Sequence, residues 1–141
     1  MKKIVGLLFA IGIVSFMGCS SLSKPEAETA AVTSAKMWLA LVDSGKYAES
    51  WDEAAQYFKN AIPETQWIQT MQSMRSSFGK NISRELKAKS YRTSLPGAPK
   101  DNEYVVIQFQ SSFENKKSVV ETITPMLDED GTWRVSGYYM K

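Results

Sequence analysis

Residues 104–113 read YVVIQFQSSF, and the alternation in this stretch decides the fold. Val105, Ile107, Phe109 and Phe113 fall on one face, with Gln108, Gln110 and Ser112 on the other. That is the period of two of a strand with one buried face. Downstream, Asn115-Lys116-Lys117 turns the chain into a second run, Ser118 to Leu127. Asp130-Gly131 is a hairpin signal, and it leads into Trp133 to Met140. Here Trp133, Val135 and Tyr139 alternate with Arg134, Ser136 and Tyr138. Upstream, Ile82 to Ser94 reads as a strand, followed by a loop through Leu95-Pro96-Gly97-Ala98-Pro99 and Asp101-Asn102. Connections this short join four strands as an antiparallel meander.

Before Gly79 the period is 3.6. Glu26 to Ser44 places Ala31, Ala35, Trp38, Leu41 and Val42 at helical spacing, and Gly45 supplies a stop. Lys46 to Ala61 repeats the pattern with Tyr47, Ala48, Trp51, Ala54, Ala55 and Phe58. Pro63 suits the first turn of a third helix, whose stripe is Trp67, Ile68, Met71, Met74 and Phe78. The expected class is α+β: three N-terminal helices packed on a four-stranded antiparallel meander sheet. The Trp and Met stripes read as the core that such packing needs.

Residues 1–18 read differently. Met1-Lys2-Lys3 is followed by fourteen uncharged residues, Ile4 to Met17, against the ~20 that span a bilayer core. A basic start, an apolar run of this length and a small residue at its end describe a secretory signal peptide. Phe16-Met17-Gly18-Cys19 resembles the bacterial lipobox, which implies cleavage after Gly18 and a lipid on Cys19. An ordinary signal peptide and an uncleaved anchor are the alternatives. Residues 19–25 then form a short tether, reaching at most ~25 Å, and residues 26–141 one domain. Ser20, by resemblance to lipoprotein sorting, implies the periplasmic face of the outer membrane. The expected address is therefore a membrane of the cell envelope, held through acylated Cys19.

Composition narrows the chemistry. The chain has 17 cations and 15 anions, and Lys2 and Lys3 supply the surplus. The mature chain from Cys19 is therefore formally neutral and has no footprint for nucleic acid. Cys19 is the only cysteine and histidine is absent, so no intramolecular disulfide, no Ser-His-Asp or Cys-His catalysis and no imidazole-held metal is available. No cofactor and no metal site is expected. Asp128-Glu129-Asp130-Gly131 lacks the alternating ligands of a calcium loop. Ser77-Phe78-Gly79-Lys80 matches a Ser-Lys nucleophile in letters only, because Gly79 ends the helix between them.

The set Tyr47…Trp51, Gln66-Trp67, Arg75, Phe78-Gly79, Arg84, Leu95-Pro96-Gly97 and Tyr104-Val105-Val106 resembles the bacterial domain-of-unknown-function family 4019. Glu121-Thr122, Gly131-Thr132-Trp133-Arg134-Val135 and Gly137-Tyr138-Tyr139 extend the resemblance, over about residues 30–140. It implies a secreted protein or lipoprotein without an assigned activity. The order of helices and strands also resembles the cone shared by nuclear transport factor 2 and ketosteroid isomerase, which implies a pocket enclosed by a curved sheet and helices and implies no chemistry.

Three groups of residues are candidates. Arg75, Arg84 and Glu121 form either a structural ion pair or the polar anchor of a pocket, because a carboxylate alternating with Val119 and Ile123 needs a cationic partner. Tyr104 and Tyr138 offer aromatic surface on the sheet. Lys87 and Lys89 belong to a basic strand that either protects a sheet edge or meets lipid head groups. The expected role is non-enzymatic binding of an envelope protein or a small ligand. An enzyme with Glu121 as general base and a purely structural lipoprotein are the alternatives.

Overall fold

The computed structural model describes residues 24–141; the expected signal segment and Cys19 lie outside the described residues. Helices α1 (Lys24–Asp43), α2 (Tyr47–Asp52), α3 (Gln56–Ala61) and α4 (Glu64–Phe78) come first. Strands β1 (Asn81–Arg92), β2 (Tyr104–Phe113), β3 (Lys116–Leu127) and β4 (Trp133–Met140) follow. The strands form an open antiparallel sheet in the order β1-β2-β3-β4. This is the α+β meander that the change of period predicts, with four helices in place of three.

The extra helix arises at Glu53-Ala54-Ala55, where the apolar period continues but the helix does not. Ala55 is extended, and its N–H donates to Val135 O at 2.8 Å. Ser34 Oγ donates to Trp133 O at 2.6 Å. These two bonds satisfy carbonyls of β4, an edge strand. At the other end of the chain α1 begins at Lys24, so Lys24 and Pro25 belong to the helix and not to the expected tether.

The core lies between the helices and the inner face of the sheet. Ala27, Ala31, Ala35, Trp38, Leu39 and Val42 of α1 are buried against Val105, Ile107 and Phe109 of β2, Ile123 of β3 and Val135 of β4. The alanines let α1 approach closely, and the aromatic side chains fill what remains. Trp38 stacks at a tilt on Trp67 with centroids 5.5 Å apart, and Phe58 meets Trp67 edge-on at 5.1 Å. The indole donors need acceptors in this setting. Ser50 provides them: its carbonyl accepts from Trp38 Nε1 at 2.7 Å and its hydroxyl from Trp67 Nε1 at 3.0 Å.

Register shifts decide which side chains face inward. Thr124 pairs with Gly137 but Pro125 pairs with Val135, leaving Ser136 as an extra residue. Proline has no N–H for the ladder, so a bulge falls at this point. Beyond it the alternation inverts: Tyr138 packs on the core and Tyr139 is 59 % exposed, the reverse of the expected faces. On β1, Lys87 is the extra residue between Leu86 and Ala88, at the free edge of the sheet.

Candidate functional site

Glu121 is fully buried on the inner face of β3, where side chains from the other three strands meet it. Arg84 of β1 donates to both carboxylate oxygens, from Nε to Oε1 at 2.7 Å and from Nη2 to Oε2 at 3.1 Å. Ser111 of β2 donates to Oε1, and the Tyr138 hydroxyl of β4 to Oε2. The other edge of Arg84 is held by Asp43, the last residue of α1, at 2.7 and 3.1 Å. Arg75 of α4 lies 3.0 Å from Asp43 Oδ1 but off the line of a hydrogen bond, and its guanidinium stacks 4.8 Å over Phe113. Two carboxylates and two guanidiniums thus form a charge-balanced set.

The hydrogen bonds close around Glu121 and Arg84, whereas Arg75 Nε and Nη2 are buried without a hydrogen-bond partner. Burial by itself pulls the Arg84 pKa down, but the hydrogen bonds to Asp43 and Glu121 outweigh it and hold the pKa above its ordinary value. Burial, followed by the negative charge of Glu121, pushes the Tyr138 phenol well above its usual range. Each oxygen of Glu121 accepts two hydrogen bonds, so its acceptor positions are filled. A depression of about 290 Å³ beside the network is lined by Lys36, Asp43, Arg84, Leu86 and Phe109, without Glu121. The four charged residues form a buried ion-pair network between the helices and the sheet.

The remaining sequence candidates fall elsewhere. Tyr104 is not surface: it is fully buried beneath the loop between β1 and β2, packed with Ala55 and Met126. Its hydroxyl donates to Pro99 O at 2.5 Å. Tyr138 is not surface either, because the Ser136 bulge turns it onto Trp38 and Trp67. Lys89 lies 3.6 Å from Glu28 of α1, while Lys87 is exposed at the bulge. Arg134 clasps Asp130 with two bonds of 2.8 Å and Asp128 with one of 3.2 Å, which closes the β3–β4 hairpin. No group of metal-ligating side chains occurs among the described residues.

Sequence reasoning missed a second feature, a groove of about 760 Å³ between α1, α2 and β4. Its floor includes Trp38, Leu41 and Trp133, and Met37 stands over it with 69 % of its surface exposed. Glu49, Asp52 and Glu53 form an acidic rim, and none of them makes an ion pair with a described residue. Trp133 is 7 % exposed and its Nε1 has no hydrogen-bond acceptor. The one available signal was Met37, an apolar residue off the buried stripe of α1.

With this geometry in place, comparison with known families gives a match over residues 34–138 to a protein family of unknown function, DUF4019. The chain belongs to the DUF4019 family. The matched segment spans Asp43, Arg75, Arg84, Ser111, Glu121 and Tyr138, the whole of the buried network, and the groove lining except Ala30 and Thr33. A search of curated proteins finds no match to this DUF4019 chain. Among the described residues no helix is long and apolar enough to cross a membrane.

Proposed function

We propose that this DUF4019 protein is a cell-envelope lipoprotein, anchored through Cys19 at the periplasmic face of the outer membrane, whose domain binds a partner without catalysis. The observation that carries the binding role is the contrast between its two polar features. The buried carboxylate has every acceptor position filled by Arg84, Ser111 and Tyr138. The groove beside Met37 is open, apolar at its floor and rimmed by carboxylates without partners. Binding energy is gained where apolar surface and unpaired charge meet a complementary partner, and the groove offers both.

The anchor rests on the sequence of residues 1–19, whose charged start, short apolar run and Gly18-Cys19 end fit lipoprotein processing. Two or more acyl chains hold a protein stably on a membrane, whereas one does so only marginally. In fold terms we read the domain as a cone of the nuclear transport factor 2 and ketosteroid isomerase type. Its interior, between helices and bulged sheet, is filled by Trp38, Trp67 and Tyr138 instead of left as a pocket.

A photo-reactive side chain at Met37, expressed in cells, tests the binding role. One dominant protein adduct is expected from Met37, with none from a matched probe at Gln110 on the outer face of the sheet. Equal adducts from both positions would overturn it. An intact mass of the membrane-extracted protein tests the anchor: residues 1–18 absent and a lipid increment present are expected, and a mass without lipid refutes it.

A further inference from the structure

We infer that the groove accepts a basic, apolar peptide segment of a partner protein, an inference that rests on reading the groove as the binding site. Two observations converge on that chemistry. Glu49, Asp52 and Glu53 place three unpaired carboxylates along one rim, and Arg134, the cation in the lining, is already held by Asp130 and Asp128. The rim field is therefore negative within a formally neutral domain, and it selects a cationic complement.

The floor adds an apolar requirement. Met37 is exposed in a lining that also contains Trp38, Leu41 and Trp133, a thioether beside aromatic and aliphatic surface. Methionine adapts its shape to varied apolar partners, and such surfaces recur where one groove receives peptides. The lysine or arginine of a ligand would lay its methylene stem on this floor and its charged end on the rim. An acidic peptide would fail at the rim, and a simple cation would leave the apolar floor unmet.

The test uses the full chain in nanodiscs of zwitterionic lipid, with a short dye-labelled peptide alternating lysine and leucine as probe. Fluorescence anisotropy is expected to show saturable binding that weakens as salt rises, and a photo-reactive form of the peptide is expected to crosslink to Met37 and its neighbours. The triple variant Glu49→Gln, Asp52→Asn, Glu53→Gln is expected to weaken binding about tenfold, in line with three partly exposed charge pairs of modest strength each. Met37→Lys, a change at an exposed position, is expected to abolish the crosslink while circular dichroism stays unchanged. The same peptide with glutamate in place of lysine is expected not to bind. If the lysine and glutamate peptides both crosslink at Met37 with equal affinity, the groove reading stands and the basic-segment inference falls. If the lysine peptide crosslinks only outside the groove, or to nothing, both fall.

Discussion

Replacing Glu121 by Gln takes away the charge to which Arg84 donates twice and leaves that buried guanidinium to Asp43 alone. Removing one partner of a buried ion pair destabilises by ~3–5 kcal/mol. Denaturant titration of Glu121→Gln is expected to show a loss in that range, and a loss under about 1 kcal/mol, the scale of a surface pair, would contradict the network. Tyr138 gives the same site a pH dependence. Its pKa is raised in the folded protein, by burial first and Glu121 second, so the native state holds the phenol proton more tightly than the unfolded chain does. The stability it contributes is complete below about pH 10 and is lost as pH rises through the folded pKa. Tyr138→Phe is expected to lose about 1 kcal/mol at neutral pH, and its gap to the wild type should close in melts above about pH 10. A constant gap would contradict this assignment. Glu121 and Arg84 were legible in the sequence, since a charge among apolar residues of one strand face must have a partner, whereas Arg75 lies against Asp43 and not Glu121. Asp43 was not: an acid at the end of a helix reads as solvated, and its partner lies 41 residues away.

Elements were legible where one local period ruled, and illegible where a tertiary hydrogen bond overrode it. The alternation of β2 survives because no extra residue falls on β2 within Tyr104–Ser111; the bulge opposite it is carried by Lys87 of β1. The run Lys46 to Ala61 keeps a helical pattern, yet Ala55 leaves the helix to donate to Val135. Pro125 was visible and is the cause of the Ser136 bulge, so the inward turn of Tyr138 had a signal that simple alternation ignores. Gly79 ends α4 with φ of +76°, and a Cβ there would lie 2.9 Å from Glu114 Cβ. Gly45 has φ of +73° with open space around it. Both alanine variants carry the backbone strain, and Gly79→Ala carries the clash with the β2–β3 turn as well. Thermal denaturation is expected to show Gly79→Ala as the more destabilised, by more than about 1 kcal/mol relative to wild type. Equal losses at the two glycines would show that the turn yields freely.

At the scale of the molecule, the two polar features divide the labour. The network of Asp43, Arg75, Arg84 and Glu121 joins the ends of α1 and α4 to the sheet, which is a role in holding layers together. The groove lies at the other side of α1, where Met37, Trp133 and the acidic rim converge from three elements. Beyond Met37 off its stripe, such a site has no sequence signature, because Met37, Glu49 and Trp133 are brought together only by the sheet returning under α1. The architecture was readable from period and turn chemistry; the site required the packing. The central claim is that the buried charges support the fold and the groove binds. Its most direct measurement is the in-cell yield of the Met37 photo-adduct in the Glu121→Gln background, at a temperature where circular dichroism shows that variant folded. The account predicts a yield equal to that of the wild type. Loss of the adduct from a folded Glu121→Gln protein would contradict it and place Glu121 in the function itself.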